Sequence, residues 1–163
     1  IMEITSKKWM GRMLKMAKDV ASWSKDESTK VGAVITTTTG RPVSWAFNGM
    51  PAGIDDTVAE RHVRPYKYKW FCHAERNAMD LAHKSDLSDC VMFVTFSPCS
   101  TCAGSIIQKG IKILVVDENC TADKMPERWQ EDMLVAVEML EEAGVKIIAA
   151  RADTPVDSTD DML

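Results

Sequence analysis

Two short segments carry residue types that together can do metal chemistry: His73-Ala74-Glu75 and Pro98-Cys99-Ser100-Thr101-Cys102. Where a helix opens, the spacing of Cys99 and Cys102 puts both side chains on one side of the first turn. The free amides and positive dipole end found there favour thiolate over thiol. Pro98 cannot donate a ladder hydrogen bond, which suits the end of a preceding strand. With His73, the two cysteines make three protein ligands for Zn2+, one ion per chain. The fourth tetrahedral position is left to water, which is the arrangement of a catalytic zinc. Two thiolates and a neutral imidazole cancel the metal's charge, so that water is acidified less than under three neutral histidines. A base must take its proton, and Glu75 stands two residues from His73. The nucleophile so formed can attack a carbon that bears an amino group. Glu75 then passes the proton first to a ring nitrogen and next to the departing ammonia. Glu75 is read as this proton carrier and not as a ligand.

These residues need a scaffold that brings them to one place. Trp9, Met10, Met13, Leu14, Ala17, Val20 and Ala21 recur at helical spacing and predict an amphipathic helix over Trp9 to Trp23. Ser24 to Thr29 is polar and reads as a loop. Lys30 to Thr36 is short, apolar and β-branched, as in a buried strand. Gly40-Arg41-Pro42 turns the chain into a second strand, Val43 to Phe47, that closes a hairpin. Asn48 to Gly53 has turn chemistry throughout. Ile54 to Phe71 has no clear period but gathers Arg61, His62, Arg64, Lys67 and Lys69 with Tyr66, Tyr68 and Trp70.

From there helices and strands alternate. A helix is predicted from about His73 to His83, a strand over Val91 to Phe96, and a helix over Ser100 to Lys109 that Gly110 ends. Next come a strand over Ile111 to Val116, a helix over Glu127 to Ala143 stopped by Gly144, and a strand over Val145 to Ala150. Trp129, Met133, Ala136, Val137 and Leu140 share one face of the last helix. The order predicts an α/β fold: three-layer α/β/α, a mixed five-stranded sheet with helices on both faces. Residues 1–152 read as a single catalytic domain, and 153–163 as an acidic tail, frayed or disordered.

Composition narrows the class. The chain has 163 residues, 45% hydrophobic and 27% charged, enough to bury a core. No apolar run approaches the ~20 residues that cross a bilayer, and no membrane partner is expected. Ile1 to Ile4 does not read as a secretory signal, and Met2 reads as the natural start. A net charge of −4 argues against long nucleic acid as a partner and is compatible with a small nucleotide. Five cysteines, an odd number, with a Cys-x-x-Cys pair fit a reducing compartment, so a cytoplasmic protein is expected.

The combined His-x-Glu and Pro-Cys-x-x-Cys pattern is the signature of zinc-dependent deaminases. More of the chain resembles one branch of that superfamily, the deoxycytidylate (dCMP) deaminases. His73-Ala74-Glu75-Arg76-Asn77-Ala78 looks like their first motif. Ser97-Pro98-Cys99-Ser100-Thr101-Cys102-Ala103, continued by Ile106-Ile107-Gln108-Lys109-Gly110-Ile111, resembles their second. Lys30-Val31-Gly32-Ala33-Val34 and Asn48-Gly49-Met50-Pro51-Ala52-Gly53 resemble their first strand and the loop after the second. The likeness runs over roughly residues 9 to 150. It implies a cytidine deaminase-like fold and zinc-dependent deamination of dCMP to dUMP, which supplies thymidylate synthesis. It implies that Asn48 bonds the sugar hydroxyl and that the Ala74 amide meets the pyrimidine carbonyl. Backbone groups around Ser97 and Cys99 would hold the amino group and the developing tetrahedral centre. It also implies a homo-oligomer, commonly a hexamer.

The chain departs from that pattern in places. Ala46-Phe47 stands where many relatives have Gly-Tyr before a loop that often serves triphosphate regulation. Asp117 to Ala122 lacks a tyrosine that many relatives carry near the substrate. Arg61, Arg64, Lys67 and Lys69 are candidates for a phosphate, with Lys30 a weaker one. Three other readings compete. One is a deaminase of another nucleobase or nucleotide: CMP, a modified cytosine nucleotide or tRNA adenosine. Another is a non-catalytic zinc module, with Cys72, Cys90 or Cys120 as fourth ligand. The last is a nucleotide-binding module without turnover.

Overall fold

A computed structural model describes residues 3–153. The start expected at Met2, and the tail expected over 153–163 apart from Asp153, lie outside the described residues. Among the described residues twelve elements follow one another. Helix α1 is Lys7–Ala21, and the hairpin strands are β1 Gly32–Thr37 and β2 Pro42–Phe47. A 3-10 turn at Ala59–His62 and the short α2 Lys67–Trp70 lead to α3 Ala74–Leu81. Then come β3 Cys90–Val94, α4 Ser100–Gln108, β4 Ile113–Asp117, a 3-10 turn at Ala122–Lys124, α5 Glu127–Glu142 and β5 Lys146–Ala150.

The five strands form one sheet in the order β2-β1-β3-β4-β5. β1 is antiparallel to both β2 and β3, whereas β3, β4 and β5 run parallel. Strand residues alternate between two cores, as the pleat requires. Val34, Val91, Phe93 and Val115 meet α1 through Leu14 and Ala17. Ile35, Met92, Val94 and Leu114 share the opposite core with Ala78 of α3, Ile106 of α4 and Leu140 of α5. The arrangement is three-layered and mixed, as expected from the sequence.

Local chemistry moves the predicted boundaries. α1 begins at Lys7 because Ser6 caps it, its hydroxyl accepting the Trp9 N–H. β1 begins at Gly32 because the Val31 N–H is taken by Asn48 Oδ1 at 2.8 Å. Gly110 and Gly144 sit at φ 84° and 80° and end α4 and α5 in Schellman turns. In each, the following residue bonds back: Ile111 N–H to the Ile106 carbonyl, Val145 N–H to that of Leu140. The patternless stretch before His73 holds the 3-10 turn and α2, both too short to show a period.

One edge of the sheet collects the chemistry. β3 ends there and runs into α4. α3 runs back toward β3 from the same edge, so its N-terminus lies there too. The loop after β2 is pinned beside them, since Gly49 and Cys72 exchange backbone bonds of 3.1 and 2.8 Å. A crevice outside the carboxyl ends of parallel strands is the usual site of an open α/β sheet.

Candidate active site

His73 and Cys99 occupy the N-cap positions of α3 and α4, and Cys102 lies in the first turn of α4. Neither cap residue makes a side-chain cap bond, which leaves the imidazole and the sulfur free to face each other. His73 Nδ1 lies 3.4 Å from Cys99 Sγ and 3.4 Å from Cys102 Sγ. Zinc bonds of about 2.3 Å to sulfur and 2.0 Å to imidazole, at the tetrahedral angle, set nitrogen and sulfur about 3.5 Å apart. The three atoms therefore fit a zinc ion. Cys72, Cys90 and Cys120 do not join them. Among the described residues, His73, Cys99 and Cys102 alone form a cluster of metal-ligating groups. Three protein ligands would leave a fourth position for water, and among the described residues no fourth donor closes the cluster.

Electrostatics at the cluster follow from this closeness. Contact with Cys102 and His73 holds the Cys99 thiol well below the ordinary range, while the same contact pushes Cys102 up. The adjoining Cys99 thiolate raises the His73 imidazole. Glu75 is 3% exposed, and burial pushes its carboxyl up to about 7 against the pull of the His73 imidazole. A carboxyl poised there can both take and return a proton near neutral pH.

His73, Glu75 and Cys99 border a cleft of about 340 Å³. Phe71, Phe96, Trp129 and Met133 give it apolar walls, and Arg64 and Arg128 also border it. Residues 7–118 match the family model of the cytidine and deoxycytidylate deaminase zinc-binding region. The chain belongs to this deaminase family. It is 46% identical over 140 residues to a deaminase encoded in the luxG 3′ region of Aliivibrio fischeri, covering 86% of this chain and 92% of that one. It is 38% identical to mouse deoxycytidylate deaminase over 66% of this chain, which spans 63% of the mouse enzyme. The fold is similar to the dCMP deaminase of cyanophage S-TIM5, with a TM-score of 0.66 and 23% identity over 89% of this chain and 99% of that one. That phage enzyme has also been crystallised with dCMP and dUMP.

Within this deaminase family member, the remaining expected residues fall around the cleft. Asn48 borders it, but its amide is largely engaged. Oδ1 accepts the Val31 N–H at 2.8 Å, and Nδ2 donates to the Thr29 carbonyl at 2.9 Å. One N–H and one lone pair are left for a ligand. Ala74 is the first residue of α3, where backbone amides have no intrahelical acceptor. Ser97 borders the cleft and donates its N–H to the Cys120 carbonyl at 3.0 Å, which leaves its carbonyl and hydroxyl for a ligand.

The basic segment is sorted by its contacts. Arg61 stacks over the Trp70 ring at 4.2 Å and donates to the Asp55 carbonyl. Lys67 is buried against both Asp26 oxygens at 3.1 Å. Lys69 and Lys30 are exposed and do not border the cleft. His62 bonds the Asp56 carbonyl at 2.6 Å, and His83 is exposed away from the metal cluster. Of these cations Arg64 and the engaged Lys67 reach the cleft. Sequence reasoning did not assign Arg128 and Asp132 to the site, and placed Trp129 and Met133 on one face of the last helix without linking them to the site. All four border the cleft because α5 begins at the same sheet edge. The signal available was the half-apolar stripe that opens α5.

Proposed function

We propose that the chain hydrolyses dCMP to dUMP and ammonia, with His73, Cys99 and Cys102 holding one zinc ion and Glu75 moving the proton. The observation that carries this reading is a three-ligand cluster with a buried carboxyl next to one ligand, at the wall of a cleft sized for a small ligand. The names of the mouse and phage relatives support dCMP as the substrate. Zinc held by the cluster supplies the Lewis acid that makes water reactive at neutral pH.

The chain's own groups do the rest. Glu75 takes one proton from the attacking water and gives it to the ring nitrogen, then takes the second from the new hydroxyl and gives it to the leaving amine, so that ammonia departs as the carbonyl forms. The Ala74 N–H, backed by the α3 dipole, holds the pyrimidine carbonyl. The Ser97 carbonyl accepts from the amino group, and the amide backbone near Cys99 faces the developing tetrahedral centre. What remains of the Asn48 amide reaches the sugar hydroxyl. Arg64 and Arg128, which form no ion pair among the described residues, take the phosphate.

Residues 1–152 act as one catalytic domain, which works as a homo-oligomer, a hexamer by likeness to the family. No helix among the described residues is long and apolar enough to cross a membrane, and the cysteine usage supports a cytoplasmic enzyme. A second reading, deamination of another nucleotide or of a modified cytosine, is favoured by Asp117 to Ala122, where many relatives carry a tyrosine.

The test is ammonia release from dCMP, CMP, dCTP, deoxycytidine, 5-substituted dCMP and a tRNA anticodon stem, with zinc measured on the same sample. Preferential turnover of dCMP at about one zinc per chain supports the proposal. Turnover of another member alone moves the assignment to it.

A further inference from the structure

The helix that carries both cysteines starts without a cap of its own. Cys99 fills the N-cap position of α4, but its sulfur faces His73 at 3.4 Å and makes no cap bond. The first turn of α4 contains no acidic residue. Helix openings without a capping oxygen leave amides unsatisfied and fray. Here the missing acceptor comes from a remote element. The Ser100 N–H donates to Asp132 Oδ2 at 2.9 Å, and the Ser100 hydroxyl donates to Asp132 Oδ1 at 2.6 Å. Both oxygens of one α5 carboxylate are thus engaged by the residue next to Cys99.

The other end of the same peptide unit is also held. The Cys99 carbonyl accepts the Ala103 N–H at 2.9 Å as the first bond of α4. The plane joining Cys99 to Ser100 is therefore tied through its oxygen to α4 and through its N–H to α5. A peptide plane held at both ends is restrained, and with it the backbone at Cys99 that carries the sulfur facing His73. α5 also walls the cleft through Arg128, Trp129 and Met133. One rigid helix therefore registers the metal loop against the substrate wall.

We propose that Asp132 is a positioning residue: as a surrogate cap on Ser100, it fixes the Cys99 ligand and ties the metal loop to the α5 wall of the cleft. This rests on reading His73, Cys99 and Cys102 as the zinc site. Asp132 is exposed, so its bonds add little to global stability, and its effect is concentrated on the loop it holds. Groups that orient metal ligands characteristically change metal affinity or activity by 10- to 100-fold when removed.

The experiment measures zinc release to a chromogenic chelator, kcat, KM and the Tm of the metal-free protein. It compares wild type, Asp132→Ala, Asp132→Asn, Ser100→Ala and the double variant Asp132→Ala/Ser100→Ala. In Asp132→Ala, zinc release speeds by about tenfold or more, kcat falls with a smaller change in KM, and the metal-free Tm moves by a few degrees at most. Asp132→Asn restores much of the loss, because its carbonyl can accept the Ser100 N–H while its amide donates to the hydroxyl. The double variant releases zinc no faster than Asp132→Ala, since both changes act through one link. Wild-type zinc release and kcat in Asp132→Ala, or multiplicative effects in the double variant, would overturn the inference and leave the zinc site standing. A wild-type protein that takes up no zinc would overturn both.

Discussion

His73 Nδ1 lies 3.4 Å from Cys99 Sγ although 26 positions separate them in the chain. The contact joins two helix N-termini, each of which brings a positive dipole end to the thiolates. Metal bound there would belong to the folded state and stabilise it. Stripping zinc with a chelator is expected to abolish turnover and lower Tm, and stoichiometric zinc should restore both. At free zinc a thousandfold above Kd the linkage is worth about 4 kcal/mol. His73→Ala should behave like the stripped protein and fail to recover. A Tm that ignores zinc would show that the cluster does not hold it.

Glu75 is buried two residues from His73 and lies outside the His73, Cys99 and Cys102 cluster. Glu75→Gln keeps its volume and removes its ability to carry a proton. Turnover should drop by about 10²- to 10⁴-fold, while zinc content by elemental analysis stays at the wild-type value. Loss of zinc together with activity would make Glu75 a ligand or a structural prop. Unchanged turnover would remove it from the mechanism.

Much of this was readable in the sequence, for identifiable reasons. His73, Glu75, Cys99 and Cys102 were visible because zinc chemistry restricts residue types and spacing so tightly. The face of α1 with Met10, Leu14 and Ala17 and the strands around Val34 and Phe93 were visible because burial imprints a period. The placement of Asp132 and Arg128 at the cleft was not, since an exposed charged residue on a helix looks alike whether it faces bulk water or a cleft. Only the placement of the α5 N-terminus at the sheet edge distinguishes them. Asn48 was seen as a turn residue or a substrate contact. Its bonds to Val31 and Thr29 depend on register between β1 and the loop after β2, which local spacing does not encode.

Gly32 marks the closest approach of α1 to the sheet. A Cβ there would lie 1.9 Å from the Ala17 carbonyl oxygen and 2.8 Å from the Ala21 nitrogen. Both are backbone atoms and cannot rotate away. Gly32→Ala should destabilise by about 1–3 kcal/mol or more, read as a lower urea midpoint at unchanged m-value. Gly104 is the control, since its Cβ would meet only Met139 Cε at 3.9 Å. Gly104→Ala removes a helix-interior glycine and should stabilise by up to about 1 kcal/mol. Equal effects of the two changes would contradict this packing.

Asp26 and Lys67 form a buried pair that ties α2 to the loop before β1. Burial alone would raise the Asp26 carboxyl. The Ser28 and Thr29 amides and the Lys67 ammonium outweigh it, and the net shift is downward. A lowered carboxylate contributes stability above its ordinary value of about 3.9, and loses it as pH falls through the folded value. Asp26→Asn should therefore cost stability at pH 7, by about 3 kcal/mol for a broken buried pair. It should also flatten the decline in Tm below pH 4. A variant with the wild-type acid slope would show that other carboxylates govern it.

Arg64 and Arg128 approach the cleft from different elements, one before α2 and one in the first turn of α5. The Arg128 guanidinium lies over Trp129 at 4.4 Å, which orders it without neutralising it. An arginine so placed can offer two parallel N–H groups to a phosphate. Each charged hydrogen bond lost is worth about 1.5–3 kcal/mol, or roughly 10- to 100-fold. Arg64→Ala and Arg128→Ala should each raise KM for dCMP by that order and leave turnover of deoxycytidine nearly unchanged. The wild-type preference for the monophosphate should collapse in the double variant. Equal losses on the nucleoside and the nucleotide would place both arginines in the architecture of the cleft and send the search for the phosphate contact to Lys67 and the loop around Thr29.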